Sequence, residues 1–128
     1  MLSEFTPVVT LPTAELSRAR SFYEGTLGFA PGDESMGGIT YECGNGVFFV
    51  YESEYAGTNQ ATAMNINVPM SAFDAEIGAL REKGVTFQTF DAEGLDWNDG
   101  VASVGDAMKA VWFTDHDGNI INVSAGEM

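Results

Sequence analysis

The feature that most limits the fold of this chain is an order of elements that occurs twice. Residues 8–11 are a short run suited to a strand. After them Leu16, Ala19, Phe22, Tyr23 and Leu27 recur at three- and four-residue steps, marking one apolar helical face. Gly28 stands where a helix C-cap commonly has glycine. Residues 29–34 read as extended, and Met36-Gly37-Gly38 breaks them. Two strands, 39–43 and 47–53, flank the turn Gly44-Asn45-Gly46. A polar link over 55–61 leads into the second round. Residues 64–68 alternate, with Met64, Ile66 and Val68 on one side and Asn65 and Asn67 on the other. Ser71 is the expected N-cap of a helix whose buried face carries Phe73, Ile77 and Leu80 and which Gly84 ends. Strands are expected over 85–90, 101–104, 109–114 and 119–124, with residues 91–100 a loop containing Trp97. Leu27-Gly28-Phe29 and Lys83-Gly84-Val85 lie about 56 residues apart, and the two rounds share element order rather than residues. Each half-sheet needs a partner to curl around. The expected class is therefore α+β. Two βαβββ units, about 6–54 and 62–125, form one partly open, cup-shaped barrel in a single domain over 1–128.

Composition narrows the function. The 128 residues suffice for one domain with a core. The longest apolar run, 47–51, suits a strand and not a membrane span. The opening Met1-Leu2-Ser3-Glu4-Phe5 has neither the basic region nor the apolar core of a signal peptide, so a cytoplasmic protein with no membrane role is expected. Nineteen acids against five bases give a net charge of −14, which repels phosphate backbones and argues against nucleic acid. The same charge suits either a solvated acidic face or a cationic ligand. No glycine-rich loop joins a strand to a helix, so phosphate binding of the nucleotide kind is not indicated. Cys43 is the only cysteine; it permits no intrachain disulfide and reads as a small buried hydrophobe. His116, the only histidine, reads as an exposed turn residue without a partner for proton transfer. Nine Phe, four Tyr and two Trp leave aromatic surface for an interface, and a two-fold homodimer is expected.

Three motifs carry a resemblance. The first is Glu15-Leu16-x-x-Ala19-x-x-Phe22-Tyr23-x-x-x-Leu27-Gly28-Phe29. The second is Gly57-Thr58-Asn59-Gln60-Ala61-Thr62. The third is the closing hairpin, Phe113-x-Asp115-x-Asp117-Gly118-Asn119-x-Ile121. Together they resemble the vicinal oxygen chelate superfamily of glyoxalases, extradiol dioxygenases, fosfomycin-resistance enzymes and bleomycin-resistance proteins. The second motif resembles a subset of uncharacterised bacterial members. The likeness runs from Val8 to Val123 and departs at His116, where many members have proline. It implies the cup-shaped fold just described. In metal-dependent members it implies four ligands: His or Gln on the first strand, Glu on the fourth, His on the fifth and Glu on the last. Here those positions fall on Val8, near Phe49, on Asn65 and on Asn122. Val and Phe have no donor atom, and Asn is a weak neutral ligand, whereas divalent Zn, Ni, Fe or Mn want imidazole and carboxylate. Glu42, Glu52 and Asp115 are nearby carboxylates that lack a nitrogen partner. No metal and no other cofactor is expected.

The alternation of the strands suggests what replaces the metal. Val8, Thr10, Phe49, Tyr51, Asn65, Asn67, Trp112 and Asn122, with Met64 or Met108 beside them, should line the cup, and Trp97 should lie over it or at a dimer contact. A concave, partly apolar site with a few amides suits a small molecule. In the alternative the barrel is filled and the Asn side chains satisfy one another. The leading expectation is a metal-free binder of a cationic or aromatic compound, which the resemblance to bleomycin-resistance proteins also implies. The alternatives are a metal-free enzyme with carboxylates such as Glu42 or Glu52 moving protons, an enzyme of the same superfamily (lyase, isomerase or dioxygenase-like) that is metal-dependent only if the ligand positions lie elsewhere than mapped, and an interaction module without a ligand.

Overall fold

The computed structural model of the chain describes residues 1–126. They gather into two compact units. Unit 1 holds Met1–Asn59 and takes in His116–Asn119; unit 2 holds Gln60–Asp115 and the residues from Ile120 on. The class is α+β, as expected, with one open mixed sheet in each unit.

Unit 1 contains strand β1 (Val9–Thr13), helix α1 (Leu16–Arg20), and strands β2 (Asp33–Ser35), β3 (Gly38–Cys43) and β4 (Gly46–Glu52). The apolar helical face continues past α1 through a wider turn, Ser21–Thr26, in which the Leu27 amide donates to Phe22 O at 2.9 Å. Gly28, at φ +81°, ends it in a conformation that costs glycine little. The sheet order is β1-β4-β3-β2, with β1 parallel to β4 and the other pairs antiparallel. Period-two alternation puts Leu11, Val50, Ile39, Phe48 and Tyr41 on the helix side, all buried with Ala19 and Tyr23. Tyr23, Phe29, Tyr41 and Phe48 form one ring cluster, with Phe29 edge-on to Phe48 at 5.1 Å. Buried Tyr41 needs a partner for its hydroxyl, and donates to Glu24 Oε2 at 2.7 Å. Arg20 completes the group, reaching Glu24 at 2.6 Å and Glu34 at 3.0 Å. Burial, then the bond to Glu24, pushes the Tyr41 phenol above its usual range.

Unit 2 contains β5 (Thr62–Val68), α2 (Met70–Glu82), β6 (Asp96–Asn98), β7 (Val101–Val104), β8 (Met108–Thr114) and β9 (Ile120–Gly126), in the order β5-β9-β8-β7-β6. The helix begins at Met70 with Pro69 as its cap, two residues ahead of the expected Ser71. Its Phe73 and Ile77 are buried with Val111, Phe113, Ile121 and Val123.

The expected strand over 85–90 is not formed. β7 and β6 occupy the free side of β8, pairing Ala102 with Ala110 and Val104 with Met108. What remains for residues 85–90 is one ladder-like bond, from the Gln88 amide to Trp112 O at 2.8 Å. The loop expected over 91–100 instead contains β6. Asp99 (φ +51°) and Gly100 (φ +80°) make the two-residue turn into β7, the positive-φ pair that a tight hairpin requires.

Candidate functional site

The registers of unit 2 decide which side chains share a face. Asn65 stands opposite Asn122, and Asn122 opposite Trp112; Asn67 stands opposite Ser124, Ser124 opposite Ala110, Ala110 opposite Ala102, and Ala102 opposite Trp97. One face of the sheet therefore carries Asn65, Asn67, Asn122, Ser124, Trp112 and Trp97. Met108 shares that face. Met64 does not: it pairs with Ile121 and is buried with the residues under α2, because an odd step along a strand reverses the side chain.

The amides on this face bond to one another. Asn65 Nδ2 donates to Asn122 Oδ1 and, at 2.9 Å, to Ser124 Oγ; Asn67 Nδ2 reaches the same hydroxyl at 3.2 Å. Asn122 is 5% exposed, and its Nδ2 donates to the Val111 carbonyl at 3.0 Å. Its side chain is therefore used on both sides, as a buried amide requires. Ser124 is a member that the sequence reading missed, although its place two residues beyond Asn122 on the same strand signals it.

Beside this network lies a cavity of about 390 Å³, lined by Trp112, Phe90, Gln60, Gln88 and Thr89 together with Ala61, Thr62 and Ile120. Phe90 stands edge-on to Trp112 at 4.9 Å and to Trp97 at 5.3 Å, and the two indoles lie 6.0 Å apart. A second hollow of about 430 Å³ adjoins across the shared Thr89 and Phe90, with Asp91 and Trp97. Gln88, Thr89 and Phe90 were not anticipated, since 85–90 read as a strand, and Gln60 was not, since it lies in a polar link.

The other expected cup residues belong to unit 1. Thr10 pairs with Phe49, and the Phe49 and Tyr51 rings stack nearly parallel at 6.2 Å. Phe49 lies over Gly38, where a Cβ would collide with the ring. Tyr51 is 36% exposed; Val8 precedes β1 and is 46% exposed. Glu42 and Glu52 are exposed, and Glu52 borders a shallow acidic depression with Glu54. Cys43 is half-buried, and burial pushes its thiol up, away from the reactive thiolate. His116 corrects the sequence reading: its side chain is only 11% exposed, with Nε2 2.6 Å from Asp117 Oδ2 and 2.9 Å from Thr13 Oγ1, beside the Phe22 ring. The turn that carries it is held down by Asp117 Oδ1, which accepts from the Ala14 amide, and by Asn119 Nδ2, which donates to Pro12 O.

No family model and no curated protein matches this sequence. Solved structures do match. A glyoxalase/bleomycin resistance protein/dioxygenase from Alicyclobacillus acidocaldarius aligns with TM-score 0.73 and 15% identity over 97% of this chain and 92% of that one. An integron cassette protein from the mobile metagenome of a Halifax Harbour sewage outfall aligns with TM-score 0.66 and 19% identity over 94% and 99%. The fosfomycin resistance protein FosX of Listeria monocytogenes, complexed with Mn(II) and sulfate, aligns with TM-score 0.69 and 12% identity over 97% and 91%. The likeness inferred from the three motifs thus holds for the fold. A metal of the kind bound by that FosX does not fit the positions expected to hold one. Val8 and Phe49 offer no donor, and the amides of Asn65 and Asn122 are turned on each other.

Proposed function

We propose that this protein binds a small aromatic molecule, neutral or cationic, without a metal, in the unit 2 cavity. The observation that carries the reading is the pairing of an aromatic wall, Trp112 and Phe90, with neutral hydrogen-bonders Gln60, Gln88 and Thr89 around about 390 Å³. That volume lies in the range of small-molecule sites, and an apolar wall with a few amides is their usual lining. Cation preference has separate support. The net charge of −14 draws cations over long range, and Asp91, Glu93, Asp96 and Asp99 crowd the segment that carries Trp97. An indole face then holds a cation at short range, adding roughly 0.5–2 kcal/mol. Binding by two copies as a two-fold homodimer belongs to the same proposal and is checked by mass in solution at micromolar concentration. No helix among the described residues is long and apolar enough to cross a membrane. An enzyme using Glu42 or Glu52 has less behind it, because both carboxylates are exposed, whereas proton-transfer groups are commonly placed in environments that tune them.

The test is a fluorescence titration with proflavine, a planar cation, and 1-naphthol, a neutral ring compound. Both tryptophans of the chain are in the aromatic group, so all indole emission reports on it. Saturable quenching that weakens about tenfold in Trp112→Ala, about 1.4 kcal/mol, is expected. Absence of saturable binding by any member of a wider aromatic panel refutes the reading.

A further inference from the structure

The segment over 85–100 supplies three of the lining residues of the cavity, Gln88, Thr89 and Phe90, yet pairs with the sheet through one amide before β6 begins. Besides the Phe90 ring against Trp112, a further attachment comes from α2. Arg81, in the last turn of α2, donates through Nη2 to the Asp99 carbonyl and lies 3.5 Å from Asp99 Oδ2. The same guanidinium stands over the Phe87 ring at 5.3 Å, and Phe87 meets buried Phe113 at 6.4 Å. Gly100 sits against Phe87 so closely that a Cβ there would come within 3.2 Å of the Phe87 Cβ. One side chain thus grips the segment at both ends, at Phe87 and at Asp99, and the residues between carry the wall of the site.

We infer that Arg81 is a positioning residue for ligand binding: it clamps the 85–100 segment as a strap and so sets how long a ligand stays. The inference rests on the binding reading above, but its structural half stands apart from it. Arg81 does not line the cavity, and its planar fork suits a carbonyl, a carboxylate and a ring face together, which lysine cannot reproduce. The side chain is 41% exposed, so salt should weaken its charge contacts. The chain has only five Lys and Arg, and this one is spent on the strap.

The experiment compares wild type with Arg81→Gln, Arg81→Lys and Asp99→Asn; Asn tolerates the positive φ at position 99. Hydrogen exchange is measured without ligand, and proflavine binding by stopped flow. The expected result is exchange at the Gln88 amide about tenfold faster in Arg81→Gln, with Val111 and Val123 unchanged, as local opening requires. Proflavine dissociation should rise about five- to tenfold with little change in association. Arg81→Lys and Asp99→Asn should fall between, and high salt should bring wild type toward Arg81→Gln. Unchanged Gln88 exchange overturns the inference. So does equal acceleration at Val111 and Val123, which would make Arg81 an ordinary stabilising residue. If wild type binds no aromatic probe, the binding reading fails and the role in ligand retention fails with it, while Gln88 exchange still decides whether Arg81 holds the strap.

Discussion

Asn122→Asp is an almost isosteric change with a consequence that depends on pH. In the wild type the buried amide accepts from Asn65 through Oδ1 and donates from Nδ2 to the Val111 carbonyl 3.0 Å away. Aspartate keeps the first bond. An ionised carboxylate then sets an oxygen against the Val111 carbonyl, in a position only 5% exposed. Losing a donor that served a buried carbonyl costs about 1–3 kcal/mol, and the buried charge adds to it. A net penalty of about 2 kcal/mol corresponds to raising the folded-state pKa by roughly 1.5, from about 3.9 to about 5.4. The protonated acid can donate to Val111 as the amide does. Because the folded pKa is the higher one, the variant should match wild type below about pH 4. It should lose stability as pH rises through about 5.4 and stay about 2 kcal/mol weaker at pH 7. With an unfolding entropy of about 2.1 cal/mol/K per residue, that is a fall in Tm of roughly 7 °C at pH 7. Urea melts of both proteins at pH 4 and pH 7 measure it. Equal stability at both pH values would mean that the amide does not donate to Val111 and that the face is held together by something else.

Three further outcomes follow from the same geometry. Gly38→Ala would press a methyl into the Phe49 ring and within 2.7 Å of Val50 O, costing about 1–3 kcal/mol in a melt; shortening Phe49 in the same chain should recover part of it, and no cost would show that the ring does not cover Gly38. Tyr41 has a raised pKa, so its contribution is present below its ordinary value of about 10 and is lost as pH rises beyond it. Tyr41→Phe should cost about 1 kcal/mol at pH 7 and flatten the alkaline decline, as followed by circular dichroism between pH 8 and 11. Asn65→His with Asn122→Glu replaces two amides already in contact by an imidazole and a carboxylate, and should give weak Zn(II) or Ni(II) binding by calorimetry where wild type gives none.

Much of the architecture was legible because it depends on local chemistry. The twofold order of elements, the glycines at 28, 44 and 118 with their positive φ, and the alternation that separates Asn65 and Asn122 from Ile66 and Ile121 all read directly from residues. Residues 85–90 misled because Val85, Phe87 and Phe90 have strand character, while their fate was settled by competition for one side of β8. The Asp99-Gly100 pair was the available signal for that competitor, and its positive-φ turn creates β6. His116 misled for the opposite reason: a polar residue in a turn reads as exposed unless the partners that bury it, Thr13 and Phe22 some hundred positions earlier, are known. The site was half legible. Trp112 and the three asparagines share one sheet face, as strand parity implied, whereas Trp97 read as a loop residue and joins that face only through β6; Gln88 and Phe90 were hidden by the strand reading of 85–90, and Gln60 by its place in a polar link.

The parallel pair of β5 and β9 also fixes when unit 2 can form. The last strand of the unit is not at its edge but in its middle, between β5 and β8. Asn65 must find Asn122 across 57 positions, and β5 with β9 is the strand pair in this unit with the longest reach along the chain. Closing a loop of that length costs about 3.6 kcal/mol from its length-dependent part, and it is repaid only when β9 arrives to bond on both sides. The hairpins β6–β7 and β7–β8 can assemble from neighbours, but β5 has no partner strand in its sheet until β9 has been made. The asparagine face, drawn from β5 and β9 together, is therefore the last part of the unit to exist.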